Sequence, residues 1–249
     1  MRKPIIAGNW KMHKTHKETS DTIEALKKLV ADVSDREIII CPPFTSLQIA
    51  VQSAKGSNIK IGAQNMHYED KGAFTGEISP VMIKDLGCEY VIIGHSERRQ
   101  YFCETDHLIG KKIISALKHN LTPIICVGET LQERETNKTF SVIDTQIRGA
   151  LKSVNHEQIQ KCVIAYEPVW AIGTGKTATK EQAQEVHFYI RNTLSKIYSP
   201  EVSDTIRILY GGSVKPENMA DLMSQPDIDG GLVGGASLEA ETFSKIIKY

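Results

Sequence analysis

Short apolar runs alternate with longer amphipathic stretches along the whole chain. Eight of the runs are rich in β-branched residues and are predicted strands, at residues 4–8, 37–41, 59–63, 90–93, 123–127, 162–166, 206–210 and 230–233. Most of them are apolar at consecutive positions rather than at alternating positions. Such runs are typical of strands buried on both faces, as in a parallel sheet that is covered by helices.

The stretches between the runs carry apolar residues at helical spacing. Examples are Ile23, Leu26 and Val30, then Ile109, Ile113 and Ala116, then Val186, Ile190 and Leu194. Boundary signals agree with these helices, since Ser79 before Pro80 fits an N-cap followed by a proline in the first turn. Gly87 and Asn120 stand where helix ends are expected. The pattern therefore predicts strands and helices in alternation.

The predicted strands begin about every 32 residues, which is close to the size of one strand-plus-helix unit. No linker rich in glycine, proline or serine interrupts the series. Eight units in 249 residues predict an α/β fold, a closed (β/α)8 barrel of eight parallel strands surrounded by helices, as a single domain over residues 1–249. A doubly wound open sheet shows the same alternation and is the alternative. In either fold a ligand lies beyond the carboxyl ends of the strands.

Composition and charge narrow the class of protein. The chain is 41% apolar and 24% charged, which is ordinary for a globular protein and unlike a disordered one. Basic and acidic residues number 30 each, and this balance argues against nucleic-acid or membrane binding as the main function. The five cysteines form no CxxC pair or zinc-type cluster, and no apolar run approaches the roughly 18 residues of a membrane span. We expect a cytoplasmic protein without a metal, whose substrate, if anionic, is held by local fields.

Two polar motifs follow the first and fourth runs. Lys11 stands directly after the first run, where its ammonium group could attract an anion. The motif GHSERR at residues 94–99 places His95 at the start of a predicted helix. The positive end of the helix dipole disfavours protonation, so a neutral imidazole could donate a hydrogen bond to an oxyanion. A solvated lysine and a histidine bonded to the local backbone are the simpler alternatives.

The segment after the sixth run has the sequence AYEPVWAIGTGKTA at residues 165–178. Glu167 follows a hydrophobic strand directly, and we expect this environment to raise the pKa of its carboxylate and suit it to general-base work. The apolar and glycine residues after it predict a lid that excludes water from a ligand, with a plain surface loop as the alternative. The predicted lid comprises Pro168, Val169, Trp170, Ala171, Ile172, Gly173, Thr174, Gly175, Lys176, Thr177 and Ala178.

Two glycine-rich turns follow the seventh and eighth runs, YGGSV at residues 210–214 and LVGGASL at residues 232–238. In (β/α)8 barrels these two positions frequently bind a phosphate through backbone N–H groups. Nucleotide-binding motifs around residues 173–178 are weak, because Trp170 stands where the first glycine of a P-loop belongs and the acidic residue of a dinucleotide site is missing. A phosphate-bearing substrate is the leading hypothesis.

These segments together resemble the triosephosphate isomerase family, from near the first residue to near the last. The resemblance rests on residues 9–11, AQNMHYEDKGAFTGEIS at 63–79, GHSERR, CVGE at 126–129, AYEPVWAIGTGKTA, YGGSV and LVGGASL. It implies the TIM-barrel fold and an aldose–ketose isomerase of glycolysis and gluconeogenesis. Such an enzyme interconverts dihydroxyacetone phosphate and D-glyceraldehyde 3-phosphate through an enediolate, with no metal or cofactor.

The resemblance also implies roles for individual residues. Glu167 would move a proton between two carbons as general base. His95, Lys11 and Asn9 would stabilise the enediolate oxygens, and Glu97 would order Lys11 and relay hydrogen bonds.

A phosphate site and a homodimer are implied in the same way. The expected phosphate-binding residues, besides the substrate contacts of Asn9 and Lys11, are Gly173, Ser213, Gly234 and Gly235. The loop from Gln64 to Glu77 is long and polar, and in the family such a loop reaches into the partner subunit, with Thr75 at the contact. Homodimerisation through this loop is therefore an expectation from the resemblance alone.

Two residues depart from the family pattern, and three other functions stay open. Cys103 stands where a glycine is expected, and Gly231 replaces a larger residue and could loosen the eighth strand. A phosphosugar aldolase would need a strand lysine with a lowered pKa, for which Lys60 is the main candidate. A noncatalytic sugar-phosphate-binding barrel and a nucleotide-binding switch are the remaining alternatives.

Overall fold

The structure is a computed structural model that describes residues 2–172 and 177–249. Its eight strands are all parallel and close into a barrel, because the first strand pairs with the last. They are β1 (Ile5–Asn9), β2 (Glu37–Cys41), β3 (Ile59–Ala63), β4 (Tyr90–Ile93), β5 (Thr122–Val127), β6 (Val163–Tyr166), β7 (Arg207–Tyr210) and β8 (Gly230–Val233). The closed barrel confirms the predicted (β/α)8 fold and excludes the open sheet. Each predicted run matches its strand to within one residue at either end.

Helices surround the barrel and connect its strands. They are α1 (His16–Leu29), α2 (Leu47–Ala54), α3 (Pro80–Asp85), α4 (Ser96–Tyr101), α5 (Asp106–Lys118), α6 (Leu131–Glu135), α7 (Thr139–Leu151), α8 (His156–Ile159), α9 (Lys180–Ile197), α10 (Pro200–Ser203), α11 (Pro216–Met223) and α12 (Ala240–Ile247). The Ser79 side chain accepts the N–H of Met82 and caps α3, as predicted. Gly87 and Asn120 have φ values of 94° and 54° just beyond α3 and α5, so both end helices as expected.

The strand side chains divide into two buried layers. Ile5 and Ala7 of β1 point into the barrel, while Ile6 between them packs against the surrounding helices. The interior layer consists of Ile5, Ala7, Ile39, Cys41, Tyr90, Ile92, Ile124, Cys126, Val163, Ala165, Leu209 and Leu232. Because each face of the sheet meets a hydrophobic layer, polar residues do not alternate with apolar ones along the strands.

A polar network closes the amino ends of the strands inside the barrel. Glu37 at the start of β2 accepts a hydrogen bond from the Tyr90 hydroxyl and pairs with Lys60 and Arg207. Burial by itself raises the pKa of Glu37, but these three partners outweigh it and lower the pKa to about 2. The network therefore ties together the strands β2, β3, β4 and β7, from which its four residues come.

The two departures from the family pattern have clear structural settings. Cys103 is exposed, and its φ of 54° lies in the left-handed region that favours glycine. Gly231 pairs with Ile6 of β1 and with Tyr210 of β7, so the last strand is bonded on both sides. Within the described residues, no helix has the length and hydropathy needed to cross a membrane.

Candidate active site

A cavity of about 300 Å³ opens at the carboxyl ends of the strands. This volume lies at the small end of the range for small-molecule sites. Its lining includes most of the residues that the sequence singled out: Asn9, Lys11, His95, Glu167, Ser213, Gly234 and Gly235. They come from segments that follow five different strands, and only closure of the barrel brings them together. A larger groove of about 860 Å³ between α5 and α7 contains none of them.

Glu167 is the most buried ionisable group of this cavity, with 2% of its side chain exposed. It follows β6, and its backbone N–H donates to the carbonyl of Val127 on β5. One carboxylate oxygen, Oε1, lies 2.8 Å from Nε2 of His95. The other, Oε2, accepts the backbone N–H of Ser96 at 2.8 Å. The carboxylate is therefore held in one orientation at the floor of the cavity.

The pKa of Glu167 is lower than usual, so the prediction of a raised value is wrong. Burial does raise the pKa, as the sequence argument supposed. The adjacent His95 ring, the N–H of Ser96 and the charge of Lys11 together outweigh burial. The sequence argument failed because it placed no hydrogen-bond donors around the carboxylate.

His95 occupies the N-cap position of α4, as the motif predicted. Its Nδ1 accepts the backbone N–H of Glu97 at 3.2 Å, so that nitrogen carries a lone pair and the proton sits on Nε2. With Nδ1 accepting and the Nε2–H donating to Glu167, the contacts have the pattern of a neutral imidazole. The expected lowering of the His95 pKa is nevertheless wrong. Burial lowers it, but the nearby Glu167 carboxylate outweighs burial and the net shift is upward.

Lys11 is held by contacts at both its backbone and its side chain. Its φ of 52° is in the left-handed region, and its N–H donates to Oδ1 of Asn9 at 3.1 Å. The Nζ atom lies 2.6 Å from Oε1 of Glu97, as expected for a residue that orders Lys11. The Gln64 amide donates to the carbonyls of Lys11 and Cys41, both at 2.8 Å. Sequence reasoning missed Gln64 in this role, although its place directly after β3 was a usable signal.

Glycine backbone forms the wall opposite Glu167. Gly234 follows β8 and leads into a short 3-10 turn, Gly235–Ser237. A Cβ atom at position 234 would lie 3.7 Å from Cε of Lys11, so this backbone runs beside the lysine. A Cβ atom at position 235 would meet nothing within 4 Å. An anion at this wall would meet backbone N–H groups and an ammonium group together.

The described part of the predicted lid is anchored to the segment after β5. Its first residues form a 3-10 turn, Val169–Ala171, and the N–H of Val169 donates to the carbonyl of Glu129 at 3.1 Å. The Trp170 indole donates to the Glu129 carboxylate at 2.9 Å, and Arg134 lies over the indole ring. Gly173, Thr174, Gly175 and Lys176 fall outside the described residues. The predicted phosphate contact of Gly173 falls there too, so the lid itself stays a prediction.

Some predicted residues lie away from the cavity wall, and some wall residues were not predicted. Glu97 sits behind Lys11, and Thr75 is exposed on the loop between β3 and α3, outside the cavity of its own chain. Leu232 was missed as an apolar lining residue, and so was the backbone N–H of Ser96. Both positions could have been found from the rule that the residues ending a strand face the site.

Lys60 does not fit the alternative aldolase chemistry. It lies at the amino end of β3, in ion pairs with Glu37 and Glu89. Burial lowers its pKa, but these two carboxylates outweigh burial and raise it. A Schiff-base lysine needs the opposite shift and a place in the cavity. Within residues 2–172 and 177–249, no group of three or more His, Cys, Asp or Glu residues could hold a metal ion.

Comparison with known proteins identifies the family. The family profile described as triosephosphate isomerase matches residues 4–249. A protein of Endomicrobium trichonymphae named triosephosphate isomerase is 60% identical over 249 residues, which cover 100% of this chain and 99% of its own. A protein of Caldanaerobacter subterraneus subsp. tengcongensis with the same name is 58% identical, with 100% of both chains covered. With its closed barrel and full-length match, the chain belongs to the triosephosphate isomerase family.

Proposed function

We propose that this chain interconverts dihydroxyacetone phosphate and D-glyceraldehyde 3-phosphate, with Glu167 carrying the proton between the two carbons. The observation that carries the proposal is the position of this carboxylate. It is buried in a small cavity, 2.8 Å from the Nε2 atom of His95, whose Nδ1 accepts the backbone N–H of Glu97. The opposite wall offers glycine backbone and Lys11 to a phosphate group.

The hydrogen bond between Glu167 and His95 gives the site a way to switch on its base. A substrate carbonyl that takes the Nε2–H of His95 displaces the carboxylate from that donor. Glu167 then loses a contact that lowers its pKa, while the burial that raises the pKa remains. The carboxylate becomes a stronger base at the moment when the substrate C–H lies beside it.

The chemistry then needs two proton transfers at carbon and one between the two substrate oxygens. Glu167 removes a proton from the carbon beside the carbonyl, and the electron pair of that C–H bond forms an enediolate. The Nε2–H of His95, the ammonium group of Lys11 and the side-chain amide of Asn9 stabilise its oxygens. The hydroxyl proton of the substrate moves to the former carbonyl oxygen by way of Nε2 of His95, and Glu167 returns the carried proton to the neighbouring carbon, so that protons and electrons both balance.

The phosphate group would sit at the glycine wall. The backbone N–H groups of Ser213, Gly234 and Gly235 are the proposed donors, and Lys11 supplies a full positive charge. Since the whole chain carries no net charge, this local arrangement replaces a broadly positive surface as the source of attraction.

Exchange of solvent deuterium into dihydroxyacetone phosphate tests the role of Glu167. We expect Glu167→Gln to slow the exchange at least about a thousandfold, since the amide cannot accept the proton. Glu239→Gln is the matched control, because that carboxylate is 73% exposed and paired with Lys14 outside the cavity. Equal exchange by the Glu167→Gln variant and the unchanged protein would remove Glu167 as the base.

The same experiment separates the other functions. A noncatalytic sugar-phosphate-binding barrel would bind dihydroxyacetone phosphate without any exchange. An aldolase would form a Schiff base, which borohydride reduces to a stable lysine adduct. We expect fast exchange and no lysine adduct, in keeping with the ion-paired state of Lys60.

We also propose that the chain is a homodimer through the loop from Gln64 to Glu77. Segments after β1, β3 and β4 expose large apolar side chains, namely Met12, Phe74, Met82, Tyr101 and Phe102. Exposed apolar surface of this kind marks an association site, and Thr75 stands beside Phe74. Sedimentation equilibrium should give twice the chain mass, and Thr75→Arg should weaken the association. A monomer at micromolar concentration would contradict the proposal.

A single domain and a cytoplasmic location complete the proposed function. The elements of the barrel run from Ile5 to Ile247, which supports a single domain for the whole chain. All five cysteines are free thiols and four of them are buried, which fits a reducing compartment.

A further inference from the structure

Arg99 makes three directed contacts beneath the candidate active site. It lies on α4, and its side chain turns back toward the ends of two neighbouring strands. The Nε atom donates to the carbonyl of Gly94 at 2.9 Å, and Nη2 donates to the carbonyl of Cys126 at 3.2 Å. The Nη1 atom pairs with Oδ1 of Asp106 at 2.6 Å. Only 17% of this side chain is exposed.

The two carbonyls belong to the segments that carry the proposed acid–base pair. Gly94 directly precedes His95, so a bond to its carbonyl fixes the peptide plane from which the imidazole projects. Gly94 has a φ of 73°, a conformation that leaves this peptide without the support of regular strand or helix bonding. Cys126 lies on β5, and β5 carries the Val127 carbonyl that accepts the N–H of Glu167. The Arg99 guanidinium therefore connects the peptide that precedes His95 with the strand that anchors the backbone of Glu167.

Asp106 fixes the guanidinium from the other side. It is the first residue of α5, and its own position is set by close packing against α7. A Cβ atom at Gly149 of α7 would lie 2.7 Å from Cβ of Asp106, so no gap exists between them. A planar guanidinium satisfies two carbonyls and one carboxylate at once, whereas the single ammonium group of a lysine lacks this forked geometry.

We propose that Arg99 is a positioning residue, which holds the His95 imidazole in register with the Glu167 carboxylate through the carbonyls of Gly94 and Cys126. The inference rests on the catalytic roles proposed above for His95 and Glu167. The hydrogen bonds of Arg99 go to backbone carbonyls and to Asp106 rather than to either side chain, although Arg99 and Glu167 both line a second cavity. Its effect on the reaction is therefore indirect and acts through the geometry of the pair.

The first test is Arg99→Lys, which keeps the positive charge but replaces the forked guanidinium group by a single ammonium group. We expect kcat to fall about ten- to a hundredfold, the cost of misplacing a reacting group by up to about 1 Å. The KM for dihydroxyacetone phosphate should change less than about threefold, since the phosphate wall at Gly234 and Gly235 does not involve Arg99.

Arg191→Lys is the matched control for a general loss of stability. Arg191 is a buried arginine that also binds carboxylates and carbonyls, namely Asp227, Asp229 and the carbonyls of Ser203 and Ile206. These contacts lie before the amino ends of β7 and β8, at the far end of the barrel. This variant should lower the melting temperature and leave kcat unchanged.

Chemical rescue separates positioning from simple folding support. A cavity of about 510 Å³ lies beside Arg99, with Ser96, Val127 and Glu167 also in its lining. In Arg99→Ala, guanidinium ion at millimolar concentration can enter this space and restore the hydrogen bonds to the carbonyls of Gly94 and Cys126 and to Asp106. We expect it to recover kcat at least about tenfold in the folded variant, and methylammonium ion to recover much less.

An NMR measurement keeps this inference separate from the isomerase proposal. The ring ¹⁵N resonances of His95 should shift in Arg99→Lys and stay unchanged in Arg191→Lys, whether or not the protein turns over substrate. If Glu167→Gln leaves deuterium exchange intact, the catalytic proposal fails while the resonances still report on positioning. Unchanged resonances with kcat within twofold in Arg99→Lys would overturn the role of Arg99. So would a folded Arg99→Ala that guanidinium does not rescue.

Discussion

The glycine at position 211 controls how closely β7 approaches the proposed base. A Cβ atom there would lie 2.9 Å from Cγ of Glu167, against 3.4 Å or more in ordinary contacts. The Glu167 side chain would have to move by about 0.5 Å, which is the difference between those two distances. The Glu167 side chain cannot move away without breaking contacts, because His95 and Ser96 hold its carboxylate and the residue is buried. Gly211→Ala is therefore expected to displace the base rather than only crowd the strand.

The expected loss in kcat follows from the sensitivity of the proton-transfer rate to the distance between the base and the substrate carbon. A misplacement of about 1 Å costs about a hundredfold in rate, so we expect kcat for Gly211→Ala to fall about ten- to a hundredfold, or roughly 1.4–2.7 kcal/mol. The contact between Glu167 and His95 should weaken as well. Since that contact lowers the Glu167 pKa, the acid limb of the pH profile of kcat/KM should move to higher pH.

Steady-state kinetics with dihydroxyacetone phosphate between pH 4 and pH 9 would measure both effects, with circular dichroism to confirm the fold. Gly231→Ala is the matched control, because its added methyl group lies on a neighbouring part of the barrel at ordinary contact distances. A Gly211→Ala protein with kcat within twofold of the unchanged protein would refute the steric argument.

Two further predictions concern stability. Glu37→Gln should lose roughly 3 kcal/mol in urea unfolding at pH 7, the worth of a pKa lowered from 4.5 to about 2. The pKa of Glu37 is lowered from 4.5 to about 2, so its stabilisation is complete above pH 4.5 and is lost as the pH falls toward 2. The free energy of unfolding of the variant should therefore depend less on pH between pH 4.5 and pH 2. An unchanged dependence would contradict the stabilising role of the Glu37 contacts. Gly231→Ala should gain about 0.5–1 kcal/mol, because its Cβ would lie 3.5 Å from Val233 and 3.6 Å from Met219. A lower melting temperature would show that the last strand cannot accept the methyl group.

The switch proposed for Glu167 links its pKa to occupancy of the cavity. The carboxylate bonds to His95 and Ser96, and its pKa is low. A bound carbonyl removes the His95 contact, and burial then raises the pKa. The site thus avoids holding a strong buried base when no substrate is present, because an uncompensated charge in such a setting would be costly.

Much of the architecture could be predicted from the chain alone. The strand runs are visible because both faces of each strand are buried, so the hydrophobic signal is continuous and local. Helix ends such as those at Ser79, Gly87 and Asn120 are set by the backbone preferences of single residues. The candidate site residues follow from the same logic, because a polar residue directly after a buried strand has only the mouth of the barrel to occupy.

What the sequence did not reveal are contacts between segments that are distant along the chain. Ser96 and Glu167 are 71 residues apart, and Gln64 reaches Lys11 across 53 residues. The bridging position of Arg99 depends in the same way on where β4 and β5 end.

The sequence by itself determined the eightfold alternation, the strand limits to within one residue, several helix ends and most of the candidate residues at the mouth of the barrel. Only the tertiary structure decided which of those groups touch, and therefore the direction in which the pKa of Glu167 moves. The physical reason is that local preferences act over a few residues, whereas a pKa depends on every charge and donor within a few ångströms, whatever their separation in the chain.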